Sequence, residues 1–414
     1  MKERQSLPET RNLYRNRPLV FFWIARLSST LAYQMLSVAV GWQIYALTGS
    51  PLYLGLVGLA QFLPTLLLSL PAGHVADRYD RRLVFSICQV VQGMGVLALA
   101  VGSFKGWMSR EHILLIVFLI GLARTFTMPA SQAMLPNLVS PELFPRAVAL
   151  SSSLSQVGFI AGPALGGFLY AAGPTVVYVV VGATFLFGAL LVFLISIKDT
   201  RGQREPVSLR SVFAGIVFIK SKPTILGAIS LDLFAVLLGG ATALLPIYAK
   251  EILFAGPWGL GFLRSAPAVG ALLMSAFLAH VSLRHHLGKI MFMAVAIFGL
   301  STMAFAISTS FALSLALLIL LGAADMISVV IRLSLVQLET PDSMRGRVSA
   351  VNSLFIGTSN QLGEFESGLT AAWFGTKAAV LIGGIGTIIV AAVWTRLFPA
   401  LAEVDSLDTL GKQK

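Results

Sequence analysis

Over most of this chain the apolar residues neither alternate nor recur only every third or fourth place; they run on in long blocks, broken by short polar clusters. A membrane-crossing helix needs about 20 mostly apolar residues. Blocks of that kind lie near 18–47, 53–75, 83–104, 111–133, 147–170 and 174–197, and again near 223–249, 257–280, 288–308, 311–333, 348–372 and 376–398. The pattern predicts an all-α membrane protein with twelve transmembrane helices in two six-helix bundles, 1–197 and 223–398. Between them 198–222 is the long polar interval, a cytosolic linker, and 399–414 is a cytosolic tail. Within the linker, Ser208 to Lys220 has apolar residues at helical spacing, which predicts a helix along the membrane surface.

Composition agrees with lipid as the main solvent. Hydrophobic residues make up 56% of the 414 and charged residues 12%, with mean hydropathy +0.84. A soluble domain carries about 25% charged residues, so an aqueous surface cannot be covered. The net charge of +12 does not indicate nucleic acid, because the basic residues are scattered between apolar blocks; anionic headgroups are the expected partner. Cys88 stands alone, which excludes a disulfide framework and a thiolate metal site. His74, His112, His280, His285 and His286 show no metal-ligand spacing, and no cofactor is expected. The block starting near Pro18 has no small-residue cleavage site and reads as a retained first span. No Walker A loop is present, so ATP is not the expected energy source.

Orientation follows from Lys and Arg. With the N-terminus inside, cytosolic segments hold 22 of the 30 basic residues. The outer loops hold Lys105, Arg110, Lys250 and Lys377, and the remaining four lie inside spans. Both termini are therefore expected in the cytosol. Trp42, Trp107, Trp258 and Trp373 near outer ends, and Trp23 and Trp394 nearer inner ends, match an aromatic belt.

The two halves repeat. IGLAR ends at Arg124 in span 4, and LGAAD ends at Asp325 in span 10. The interval from Arg124 to Arg146 equals that from Asp325 to Arg347. The next intervals, Arg146 to Gly162 and Arg347 to Gly363, are also equal, and SPE at Ser140–Glu142 matches TPD at Thr340–Asp342. Six-helix repeats running the same way suit a transporter that rocks one half against the other around a midplane site.

Charged residues inside the spans are the candidate functional groups, since each is costly in hydrocarbon. Arg26 and Asp232 lie roughly 12–14 Å from the inner ends of spans 1 and 7, and Arg124 and Asp325 roughly 18–20 Å from the outer ends of spans 4 and 10. The first half thus contributes two cations and the second two anions at one level. Attraction between the halves would stabilise an inward-closed state, and protonating Asp232 or Asp325 would weaken it. A static ion-pair network is the structural alternative. Glu364 and Glu366 in span 11 project about 200° apart, and Arg264 in span 8 lies at a similar depth. Arg332 is expected among headgroups at the inner end of span 10. Gln34, Gln61, Asn352, Asn360 and Gln361 are further polar candidates, and Phe21, Phe22, Phe62, Phe126 and Phe159 face either lipid or a cavity.

GHVADRYDRR, Gly73 to Arg82, resembles the loop signature of the major facilitator superfamily, with Asp80 where glycine is usual. GFIAGPALGG, Gly158 to Gly167, is similar to that superfamily's antiporter motif through Gly158, Gly162, Pro163, Gly166 and Gly167. Arg124 looks like the arginine of the span 4 motif, without its glycine-containing tail. Thr340 to Gly368 is similar to the enterobactin-exporter branch, the transmembrane secretion effectors. The resemblance implies the major facilitator fold with spans 1, 4, 7 and 10 lining a central cavity. It also implies a cytosolic latch built from Gly73, Asp77, Arg78, Arg81 and Arg82. Gly73 is expected to allow close helix approach, Asp77 to accept bonds from a helix N-terminus, and the arginines to bind across the half interface. Asp80 is expected to replace glycine because Asp tolerates left-handed backbone. The second-half loop keeps Arg284 but has Leu283 at the acidic position, so the latch is one-sided.

These readings converge on a monomeric inner-membrane secondary transporter. It would be a proton-coupled antiporter that exports a siderophore-like or amphipathic organic molecule by alternating access. Broad multidrug efflux, or a non-transporting sensor or scaffold on the same fold, are the alternatives. No nucleophile–base pair suggests an enzyme.

Overall fold

The structure is a computed structural model, described for residues 13–195, 209–281 and 285–406. Helices α1 (Arg17–Thr48), α2 (Pro51–Arg78), α3 (Arg81–Lys105), α4 (Arg110–Met134), α5 (Phe144–Ala171) and α6 (Pro174–Phe193) form the first bundle. After the linker helix α7 (Leu209–Ser221), the second bundle comprises α8 (Pro223–Leu238), the short α9 (Leu245–Ile247), α10 (Gly256–His280), α11 (Leu287–Ile307), α12 (Phe311–Glu339), α13 (Asp342–Phe374) and α14 (Thr376–Leu397), with a last turn α15 (Pro399–Ala402). Proline opens many of these helices, where its missing N–H costs nothing; Pro18, Pro51, Pro174 and Pro223 all do so. Gly49 and Gly106 close α1 and α3 at φ 60° and 73°, the left-handed cap that glycine takes without strain. Asn16 caps α1 by accepting from the Leu19 N–H, and its own amide donates to the Leu138 carbonyl at 2.8 Å.

Among the described residues, eleven of the twelve expected spans are long and apolar enough to cross a bilayer by length and composition. The other, α13, is one unbroken 33-residue helix, roughly 50 Å long, but its polar residues keep it below that threshold. Span 7 is broken where one helix was expected. After α8 the chain passes Gly239 and Gly240, takes a 3-10 turn over Ala241–Leu244, and ends in a π-helical turn over Tyr248–Ile252. A Cβ at Gly240 would stand 2.5 Å from the Gly363 carbonyl oxygen and 2.7 Å from Ser367 Oγ, so close approach of α13 demands glycine there. The linker helix packs on the second bundle through Gly215, whose Cβ would lie 2.9 Å from the Arg347 carbonyl, and through Ile219. Its Phe213 and Val217 are exposed. The linker before Leu209, the loop residues Leu283 and Arg284, and the tail beyond Ser406 lie outside the described residues.

An even number of crossings brings both chain ends to one face, the terminal face. The two bundles share a single apolar core at the far face, where Val38, Ile44 and Val181 of the first meet Leu244, Leu260 and Phe305 of the second. At the terminal face the cores are separate. Leu19, Phe22, Phe85 and Met134 belong to one cluster, Leu231, Met291, Ile331 and Leu335 to another. Two seams join the bundles. Along α5 and α10, Gly167 abuts Pro257 and Gly261, and Ser265 Oγ donates to the Ile160 carbonyl at 2.6 Å. Along α2 and α13, a Cβ on Gly368 would lie 2.6 Å from Gly55 Cα. The Tyr45 hydroxyl donates to Glu251 at 2.5 Å across the far end.

Three local expectations need correction. Asp80 has φ −62° and ψ 113°, extended rather than left-handed, and caps α3 by accepting from the Arg82 N–H at 2.9 Å. Gly73 has open space where a Cβ would point, so no helix approaches it in this arrangement. Trp23 is buried, donating to Ser151 Oγ at 2.8 Å, and is no interfacial belt residue.

Gly167→Leu is expected to force α5 and α10 apart and destabilise the protein by about 1–3 kcal/mol, the range for overpacking. Gly73→Ala, inside α2 with room for the methyl, is expected to raise stability by up to about 1 kcal/mol. Thermal unfolding of the two purified variants checks the contrast.

Candidate functional site

Arg26, Thr30 and Tyr33 are spaced along α1 by four and three residues, and Arg124, Thr127 and Ser131 along α4 by three and four, so each set lies on one helical face. The two faces meet in a cavity of about 190 Å³, closed by Phe85 and Gln92 of α3 and Phe159 of α5. Both arginines line it, and among the described residues no acid does. The Arg124 guanidinium lies 3.3 Å from the Tyr33 ring centroid, a cation–π stack. The Tyr33 hydroxyl in turn donates to the Gln61 side chain.

Asp232 and Asp325 lie elsewhere, inside the second bundle. Asp232 forms a buried ion pair with Arg332, and Asp325 borders the same small pocket with Val295 and Phe298. In this arrangement, with the terminal-face cores apart, neither Arg26 nor Arg124 pairs with these acids, and Asp232 has a cation within its own bundle. Arg332 is also not among headgroups; its residue is 2% exposed. Arg332 stands seven residues after Asp325, two turns along the same face.

Another ion pair, formed within the second bundle, stands at the bundle interface. Arg264 of α10 approaches Glu364 of α13 to 3.9 Å and donates to the Ser37 carbonyl of α1 at 2.8 Å. Glu364 leans on α2 at Gly58, where a Cβ would stand 3.0 Å from its carboxylate. A second cavity, about 110 Å³, lies here between Gln61, Pro246, Arg264 and Glu364. Tyr33 lines both cavities. Glu366 points away and accepts from Thr370 on its own helix at 2.7 Å.

The motif residues are placed as follows. Gly158, Gly162 and Gly166 receive Thr30, Gln34 and Met35 of α1, while Gly167 and the Pro163 carbonyl face α10. In the loop, Asp77 and Arg78 are exposed, and neither pairs with the second bundle among the described residues. Arg81 donates to the Ala76 and Ala133 carbonyls, and Arg82 to the Ile195 carbonyl at 2.6 Å. Arg82 also bonds Asp80, holding that carboxyl below the usual carboxylate range. These contacts all stay within the first bundle. Tyr33 and Ser37 gain roles that sequence reasoning did not single out. Tyr33 was legible only as the residue seven after Arg26.

The family model described as transmembrane secretion effector matches residues 13–414. The chain belongs to this family of major facilitator transporters. It is 27% identical to the enterobactin exporter EntS of Shigella boydii serotype 18 over 387 residues, 89% of this chain and 88% of the relative. The EntS protein of Escherichia coli O1:K1 matches at 27% over 386 residues with the same coverage. Among solved structures, a bacterial homologue of the lysosomal transporter Spinster, inward-facing and unoccupied, superposes with TM-score 0.76 at 15% identity, covering 94% of this chain and 99% of that one. An inward-facing bacterial ferroportin homologue gives TM-score 0.68 at 18% identity, covering 94% and 99%. The family and the fold are those of a multi-pass membrane transporter, not of an enzyme.

Removing one partner of a buried ion pair costs about 3–5 kcal/mol, because the other charge is stranded. Arg332→Gln is expected to destabilise this transporter by that order. Combining it with Asp232→Asn is expected to recover more than half of the loss in thermal unfolding.

Proposed function

We propose that this transporter is a proton-coupled antiporter. It exports a siderophore-like or amphipathic organic molecule from the cytosol, by rocking of its two bundles. The observation that carries the reading is a division of charge inside the membrane. The first bundle lines a partly open cavity with two arginines and, among the described residues, no acid, while one cluster of the second sets two acids against one arginine. Within the Asp232, Asp325 and Arg332 group one carboxylate is thus in excess. Its charge is costly in hydrocarbon, and a bound proton neutralises it. Asp325 is the surplus acid, since Asp232 is paired with Arg332. Substrate and proton then occupy different bundles and act on one rocking equilibrium.

The shared far-face core and the separate terminal-face cores support a state closed at the far face. With the basic residues concentrated on the terminal side, that face is the cytosolic one and the membrane is the cell inner membrane. The relatives named as enterobactin exporters support export and a siderophore-like cargo. The protein works as a monomer, each chain carrying its own pathway between its two bundles.

Purified protein in liposomes, with an imposed pH gradient and a siderophore panel, tests the proposal. Asp325→Asn is expected to lower pH-driven flux at least about tenfold, while substrate exchange without a gradient persists. Normal pH-driven transport in both Asp232→Asn and Asp325→Asn would sink the proton role.

A further inference from the structure

The first-bundle cavity has a specific chemistry, and its consequences deepen the transport reading, on which this inference rests. We infer that it is a subsite for an aromatic organic anion, with Arg124 as the charge-binding residue and Arg26 as the second cation.

Charge gives the sign of the ligand. Among the described residues two guanidiniums line the cavity without an acid, so a cation entering it meets repulsion twice. Arg332 has Asp232, and Arg264 has Glu364 and the Ser37 carbonyl. The acid within electrostatic range of Arg124 is Glu364, whose ion pair is with Arg264. Among the described residues the buried Nη1 of Arg124 has no hydrogen-bond partner.

Geometry gives the binding mode. Stacking on Tyr33 uses the face of the Arg124 guanidinium and leaves its in-plane N–H fork uncommitted. That fork is the group that matches a carboxylate or phosphate two bonds at a time. Thr127 and Ser131, three and seven residues on, add hydroxyls to the same wall.

Size and wall chemistry give the rest. A closed cavity of about 150 Å³ accommodates benzene; this one, about 190 Å³ and open on one side, takes a small aromatic group while the rest of a larger molecule extends past its mouth. Phe85, Phe159 and Met128 supply aromatic and thioether surface for that ring. The ligand is therefore a planar anionic group, free or as one arm of a larger molecule.

The test is binding of 1-naphthoate against its neutral isostere 1-naphthamide, by equilibrium dialysis on the full-length protein in phosphatidylcholine nanodiscs. Naphthoate is expected to bind at least about tenfold more tightly, about 1.4 kcal/mol. Arg124→Gln is expected to erase that preference while leaving naphthamide binding within about twofold, and Arg124→Lys to restore part of it, which a misfolded protein would not do. Equal binding of acid and amide by the unmodified protein, or undiminished naphthoate binding in both Arg124→Gln and Arg26→Gln, overturns the proposal. Displacement of naphthoate by phosphatidylglycerol at equal concentration would assign the arginines to lipid headgroups and overturn it as well. Liposome flux separates this inference from the export reading. Anion-selective binding without pH-driven flux keeps the subsite and rejects export; flux of neutral and cationic amphiphiles without anion preference keeps export and rejects the subsite.

Discussion

An ionised group at the bilayer centre costs at least about 2.5–3.5 kcal/mol by insertion scales, and the spanning helices carry Arg26, Arg124, Asp232, Arg264, Asp325, Arg332, Glu364 and Glu366. The fold meets that cost in distinct ways. Asp232 and Arg332 pair inside one bundle. Arg264 spans the interface, bonding a backbone carbonyl of the opposite bundle and facing Glu364. Arg124 lies on a tyrosine ring and keeps its edge open. The first solution is self-contained, the second depends on how the bundles sit, and the third leaves capacity for a further partner.

The second solution connects charge to movement. At the far face the bundles share one core, and close backbone approach at Gly167–Gly261 and Gly55–Gly368 permits it. Opening that face must separate Arg264 from the Ser37 carbonyl and Tyr45 from Glu251, and each loss leaves a polar group to be hydrated. The two cavities meet at Tyr33, which stacks on Arg124 and bonds Gln61 of α2. Movement of α2 therefore reaches the arginine cavity through one side chain.

The sequence carried an expectation of depth and none of azimuth. The helical rise per residue sets Arg26, Arg124, Asp232 and Asp325 at one level, yet helices at one level can face different neighbours. In this far-face-closed arrangement those four do not pair between bundles, and Arg332 holds Asp232 within its own. The headgroup expectation for Arg332 follows from its place near a helix end, where long cations commonly reach water; a nearby buried acid reverses that preference. The pairing of Glu364 with Arg264 was closer to legible, since two acids flanked by Gly363 and Ser367 demand a partner or water. The break in span 7 follows from Gly239–Gly240 meeting α13, a tertiary demand that no apolar block reveals. Asp80 reads as a glycine substitute from the motif and as a helix cap from its geometry.

The internal repeat explains why the two seams differ. Pro163 and Glu364 occupy corresponding places, at equal sequence intervals from the matching arginines Arg146 and Arg347, and each faces the opposite bundle. In the first copy that place yields a small-residue seam, where Gly261 packs on the Pro163 carbonyl and Ala164. In the second it brings a carboxylate against Gly58. Packing energy between small residues is insensitive to protonation, whereas a carboxylate facing Arg264 is not. The repeat thus sets two similar joints, and the carboxylate of the α2–α13 joint answers to Arg264 of its own bundle.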